Sequence, residues 1–164
     1  SVLDQSVKSS KLYRFQNLYF HPDYFYKAIN NISWWDDLRK NFKNYGFQPP
    51  KINEISEELG IELKLLESTL KRASKSGYLI KINEKRYILT SFINEIGSIV
   101  QEILKKEKNQ EIKIKNFAKS TGITRNLSVE ILEYFDKIGF TKRINNGRVL
   151  KKPFEDLKLL TSNF

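Results

Sequence analysis

Displaced against itself by 62 residues, the chain aligns without a gap from Ile52 to Ile88. Ile52 falls on Ile114, Ile55 on Phe117, Leu65 on Leu127 and Leu70 on Leu132. Gly60-Ile61 falls on Gly122-Ile123, Gly77-Tyr78 on Gly139-Phe140, Ile82-Asn83 on Ile144-Asn145, and Arg86 on Arg148. Apolar positions and turn glycines agree together, so one small fold is written twice in succession.

Each copy reads the same way. In the second, a short apolar strand (Ile112, Ile114) leads into a helix with Phe117, Ala118 and Thr121 inside. Gly122 stops that helix, as glycine does just past a helix C-terminus. Thr124 is placed to cap the next helix through its hydroxyl. That helix carries Leu127, Ile131, Leu132 and Phe135 on one side, at core-facing spacing. Gly139 ends it, Phe140 to Ile144 alternates as a strand, Asn146-Gly147 marks a tight hairpin, and Val149-Leu150 closes it. Helix, turn, helix and β-hairpin make a winged helix.

The first helix of each copy lies upstream. For the second it spans about Ser91 to Lys108, with Phe92, Ile96, Ile99, Val100, Ile103 and Leu104 as its buried stripe. For the first it includes about Ser33 to Tyr45, where Trp34, Leu38 and Phe42 match Ile96, Val100 and Leu104. Gly46 and Pro49-Pro50 stop it. Leu12 to Phe20 reads as a leftover wing, after which His21-Pro22 opens the next helix. The expected architecture is mainly α with small β-hairpins (α+β): tandem winged-helix modules at 21–89 and 90–164, preceded by a remnant wing at 1–20.

Composition removes several classes of function. With no Cys, disulfides, thiolate metal sites and Cys nucleophiles are excluded. His21 is the single histidine and has no carboxylate cluster beside it, so no metal site is expected. No apolar run approaches the roughly 20 residues that span a bilayer. No nucleophile is paired with a base and no G-x-x-x-x-G-K-[S/T] loop occurs, so neither an enzyme nor a cofactor is expected in this chain. The absence of Met leads us to expect a piece of a longer protein. Lys+Arg 29 against Asp+Glu 19 gives +10, a balance that favours a polyanionic partner. The lysines are spread through the chain and not gathered on one amphipathic helix, which argues against a membrane surface.

The repeat supplies an internal control, because positions where the copies differ report chemistry. Where the third helix of each copy begins, Glu62-Leu63-Lys64 stands against Thr124-Arg125-Asn126. On the first wing strand Leu79-Ile80-Lys81 stands against Thr141-Lys142-Arg143, and at the wing tip Asn83-Glu84-Lys85-Arg86 against Asn145-Asn146-Gly147-Arg148. Residues 111–152 hold ten basic and four acidic residues, whereas 49–90 hold eight and six. The second module is therefore the basic one. Glu130 and Glu133 read as carboxylates on the outer side of its third helix, where they would repel a phosphate backbone. Contact is expected from the helix tip and the wing, a footprint better suited to a hairpin loop than to long B-form DNA.

The stretch from Ile114 to Leu150 resembles the final winged-helix domain of the bacterial selenocysteine-specific elongation factors. The likeness rests on Phe117, on Thr121-Gly122, and on Thr124 followed by Arg125. It continues through Leu132-Glu133-Tyr134-Phe135-Asp136, Gly139-Phe140-Thr141-Lys142-Arg143, and the strand Arg148-Val149-Leu150. Gly46-Phe47-Gln48-Pro49-Pro50 is similar to the segment leading into the family's penultimate winged helix, and the resemblance covers about residue 20 to the end. It implies that the last module binds the mRNA hairpin (a SECIS element) that recodes UGA. It further implies a cytoplasmic, monomeric factor that meets the ribosome in its full-length form, with the GTPase part lying N-terminal. Carried over by position, Arg125, Lys142, Arg143 and Arg148 would meet the RNA backbone and loop. Asn145, Asn146 and Gly147 form a wing tip that approaches a base, while Asn126 departs from the family's usual Lys.

Plainer readings stand beside these. Arg125 is also what a solvated helix start looks like, and Lys142 and Arg143 suit an exposed edge strand. An arginine shared by both copies, Arg86 and Arg148, also suits a role in the hairpin itself. Trp34, Trp35, Tyr24, Phe25 and Tyr26 fit packing better than base stacking, and Lys151-Lys152 fits a solvated tail. The alternative function is a tandem winged-helix DNA-binding regulator; a protein-interaction winged helix would not need the extra charge.

Overall fold

The computed structural model describes residues 13–15, 18–20 and 35–157. The chain divides into two units, residues 1–41 and 42–164. In the first, strands β1 (Tyr13–Phe15) and β2 (Leu18–Phe20) pair antiparallel, with Tyr13 opposite Phe20. A hairpin thus stands where the leftover wing is expected. His21, Tyr24, Phe25, Tyr26 and Trp34 lie outside the described residues. Helix α1 (Trp35–Tyr45) carries the chain into the second unit and buries Leu38 and Phe42, two of the stripe positions expected of it.

In the second unit helices repeat at the 62-residue period to the residue, and wing strands to within one residue. Helix α2 (Ile52–Leu59) and α3 (Leu63–Lys75) are followed by the antiparallel strands β3 (Leu79–Asn83) and β4 (Arg86–Leu89). After helix α4 (Thr90–Lys106) and the two-residue strand β5 (Ile112–Lys113), helices α5 (Ile114–Thr121) and α6 (Arg125–Lys137) repeat α2 and α3. Strands β6 (Thr141–Ile144) and β7 (Gly147–Leu150) form the second wing, in a sheet ordered β5-β7-β6. The period survives because its punctuation is backbone-determined. Gly60 and Gly122 end α2 and α5 at φ 63° and 73°, each donating its N–H to the carbonyl four residues earlier. An L side chain rarely adopts that conformation.

The hairpin turn departs from the expectation. Ile144 pairs with Gly147, so the two turn residues are Asn145 and Asn146, and Asn145 takes the left-handed conformation at φ 52°. Asparagine tolerates this region better than most residues. Gly147 lies within β7 and is small for another reason: the Glu111 side chain occupies the space a Cβ would fill.

The core does not stop at the module boundary. Leu89 ends β4 and Thr90 begins α4 directly. Ile82 and Ile88 of the first wing belong to the same buried cluster as Ile96, Val100, Phe117, Ile131 and Phe135. A covered helix flank shows the consequence. Leu65 on α3 is 45% exposed, but its counterpart Leu127 on α6 is 3% exposed. Strand β3 packs along α6, and no equivalent neighbour among the described residues covers Leu65.

The C-terminal segment is also part of the core. Lys151, Lys152 and Pro153 are exposed, yet Phe154 is 2% exposed, at the start of a one-turn 3-10 helix (Phe154–Leu157). Its ring centroid lies 4.7 Å from that of Phe140 and 6.0 Å from that of Phe135. It rests on Gly97 of α4, where an added Cβ would come within 2.6 Å of the ring. The Phe154 N–H donates to Gln101 Oε1 at 3.0 Å. Phe154→Ala should lower the unfolding free energy by about 3–5 kcal/mol, the usual range for emptying a buried Phe site. A chemical denaturation midpoint equal to wild type would contradict this packing.

Candidate nucleic-acid interface

The tip of α6 and the second wing present the expected side chains unequally. Arg125 and Asn126 open the first turn of α6 and are exposed. Thr124 sits at the N-cap with extended backbone but makes no side-chain cap bond. Its N–H donates instead to Gln48 Oε1 at 3.1 Å, and its carbonyl accepts from the Ser128 hydroxyl at 2.8 Å. The first module differs here in a way that matters electrostatically. Its N-cap residue Glu62 accepts from the Lys64 and Leu65 N–H groups at 3.2 and 3.0 Å. A carboxylate already sits on the positive end of α3, whereas the end of α6 carries Arg125. Helix N-termini attract anions through their N–H groups and dipole. Only the α6 tip, of these two, is left available to an external one.

Lys142, Arg143, Asn145 and Asn146 are exposed along β6 and its turn. Beside them Ile144 is 42% exposed, an apolar side chain at the wing tip that sequence reasoning passed over as a core-type alternation. Its exposure follows from its place at the end of β6, opposite Gly147, which has no side chain to cover it.

Two expected contact residues are placed otherwise. Arg148 is 2% exposed, and its Nε donates to Asp136 Oδ2 at 3.1 Å. The same carboxylate accepts from the Thr141 hydroxyl at 2.6 Å. Asp136, in the last turn of α6, thereby holds both wing strands against the helix. Arg148 therefore serves the wing's placement and does not offer its guanidinium to a ligand. Gly147 is likewise buried, beneath Glu111.

Glu130 is not a free outer carboxylate: half-buried, it accepts from Arg86 Nε and Asn83 Nδ2, both at 2.8 Å, from the preceding wing. Arg86 also donates to the Pro49 carbonyl at 2.6 Å. In the repeat, the counterpart of Asp136 is Ser74, so Arg86 finds no acid at that place on its own module's helix and pairs across modules instead. Tyr134, one turn further along, is buried, and burial pushes its hydroxyl pKa up to about 12. The first wing thus takes the flank of α6 that bears Glu130, whereas Glu133 is exposed, as expected of it.

Fold and surface together define a tandem winged-helix protein whose second module presents a basic helix tip and a basic wing. Residues 102–150 match the family model described as elongation factor SelB, winged helix. The selenocysteine-specific elongation factor of Haemophilus influenzae is 25% identical over 119 residues, and that of Escherichia coli 28% over 107. These matches cover 73% and 65% of this chain but 19% and 17% of the relatives. The factor of Desulfomicrobium baculatum is 32% identical over 115 residues, 70% of this chain and 18% of the relative. The chain spans about a fifth of the length of these curated relatives.

A solved structure of the mRNA-binding domain of Escherichia coli SelB, in complex with SECIS RNA, matches at TM-score 0.62 and 27% identity. That match covers 71% of this chain and 96% of that one. A bacterial selenocysteine-specific elongation factor EF-Sec matches in fold, at TM-score 0.61 and 18% identity, over 92% of this chain and 23% of that one. The chain resembles the winged-helix region of the selenocysteine-specific elongation factors, as its sequence motifs imply.

Arg148→Ala should cost about 3 kcal/mol of stability, the lower end for breaking a buried pair, because Asp136 keeps some solvent contact. Arg143→Ala should stay within about 0.5 kcal/mol of wild type, as surface changes do. Urea unfolding of the two variants side by side distinguishes them; equal stabilities would refute the assignment of Arg148 to the interior.

Proposed function

We propose that this chain is the RNA-binding, non-catalytic part of a selenocysteine-specific elongation factor. Its last module holds the mRNA hairpin that recodes UGA, through Arg125 and Asn126 at the α6 tip and Lys142, Arg143, Asn145 and Asn146 on the wing. The observation that carries the reading is the likeness to a SelB domain solved with SECIS RNA, over 96% of that domain. The asymmetry between the modules supports it, since Arg125 is exposed at the α6 tip, whereas the α3 tip carries the capping carboxylate Glu62.

In this reading the arginines and lysines meet phosphates and set the register, and the asparagines with Ile144 approach an extruded loop base. The part acts as a monomer in the cytoplasm, within a longer factor whose GTPase part lies N-terminal and which meets the ribosome. No helix among the described residues is long and apolar enough to cross a membrane.

A DNA regulator would insert its recognition helix into a major groove. The α6 flank covered by β3 disfavours that reading. At physiological salt the chain should bind an RNA hairpin with an exposed loop base far more tightly than duplex DNA of equal length. Preference for the DNA would overturn the proposal. Arg125→Ala and Arg143→Ala should each weaken hairpin binding by at least about 1 kcal/mol, typical of a charged contact. Lys64→Ala, in the first module, should have little effect, and equal weakening at all three would remove the assignment to the last module.

A further inference from the structure

Helices α2 and α5 occupy the same place in the two modules, but their charge is inverted. α2 carries Glu54, Glu57 and Glu58 and no basic residue; α5 carries Lys115 and Lys119 and no acid. By the 62-residue register Glu57 stands where Lys119 does, and Glu58 where Ser120 does. The fold accepts either sign at these positions, so the lysines of α5 answer to something outside the fold.

Their surroundings point the same way. Lys119, Asn116 and Ser120 of α5 line an open depression with Lys106 and Ile103, near the end of α4. Lys106, Lys115 and Lys119 are exposed, and none of the three pairs with a carboxylate among the described residues. The depression's one carboxylate, Glu107, accepts from the Asn116 amide at 3.3 Å. The facet adjoins the proposed loop contact. The last turn of α5, with Lys119 and Ser120, runs through Gly122 and Thr124 directly into Arg125 at the α6 tip.

We infer that this facet (Lys106, Lys115 and Lys119, with Asn116 and Ser120) grips the phosphate backbone of the hairpin's double-helical stem. It thus extends the interface beyond the loop. The inference rests on the RNA-hairpin reading above. Flexible lysines and short polar donors suit it, because a stem is held by charge and 2′-hydroxyl or phosphate contacts, without reading its bases.

The test uses the whole chain and hairpins recovered from a pool of randomised loops on one fixed long stem. The recovered loop is then also placed on a shortened stem. Lys106→Ala/Lys119→Ala should weaken long-stem binding about tenfold and make the salt dependence shallower, by about one unit of slope for each phosphate no longer neutralised. It should leave discrimination between loop variants unchanged. On the short stem the variant and the wild type should bind alike. Lys119→Glu, a charge the first module already carries at this place, should weaken long-stem binding further.

Unchanged affinity and salt slope in the double variant, with Arg125→Ala still damaging, would overturn the facet and leave the loop reading intact. Recovery of no binding loop at all would overturn both.

Discussion

One carboxylate in the middle of α6 determines what the rest of the molecule can present. Glu130 receives the Arg86 guanidinium and the Asn83 amide from the first wing, in a seam where both charged partners are mostly covered. Removing two charges from water offsets much of their attraction, so such a pair is weak evidence for stability. Its directional hydrogen bonds do fix register. Gln48 on the Thr124 N–H and Phe47 edge-on to Phe92 at 5.7 Å hold the linker to the same module. The apolar cluster shared by β3, β4, α4 and α6 supplies the burial. The first module is therefore more than a spacer between the second and whatever precedes it. It forms one wall of the second.

That seam also explains where sequence reasoning succeeded and where it did not. Helix limits, glycine stops and wing strands were legible because each follows from a local rule, and the repeat let each rule be checked twice. Gly60 and Gly122 share their left-handed conformation for this reason. The face on which Glu130 lies was not legible. On a lone winged helix that position points to water, and it is the neighbouring module that half-buries it. Phe154 escaped for a similar reason, since no periodicity marks a single aromatic beyond Pro153. Arg148 had a usable signal: Arg86 stands at its repeat position, and shared positions report scaffold. Its partner Asp136 lies 12 residues earlier, on another element, so the ion pair itself could only come from the fold. The exposure of the candidates Arg125, Lys142 and Arg143 fits their standing as differences between copies, because surface positions are free of packing constraints.

The two helix tips show how the same backbone is given opposite electrostatic roles. At α3, Glu62 satisfies first-turn donors from within the chain, which stabilises the helix and neutralises its positive end. At α6, Thr124 forgoes a side-chain cap bond, and Ser128 ties back to its carbonyl instead. A helix start without a side-chain cap is less stable in isolation by around 1 kcal/mol. The Gln48 contact and the buried body of α6 hold the helix in place without it, and the tip is left to an outside anion. Asp136 completes the arrangement by fixing the wing to the far end of the same helix.

Occupying the body of a recognition helix has a consequence for which nucleic acid can be read. B-form DNA offers a major groove about 12 Å wide, and a winged helix reads it by laying the exposed face of its helix inside. α6 has part of that face committed to β3 and to the Arg86–Glu130 contact. For A-form RNA this matters little, because its major groove is too narrow to admit a helix in any case. Recognition there falls on unpaired loop bases and on the backbone, which a short tip and a projecting wing can reach. The contact that merges the two modules thus narrows the face of α6 that is open to a DNA groove and leaves the tip and the wing uncovered.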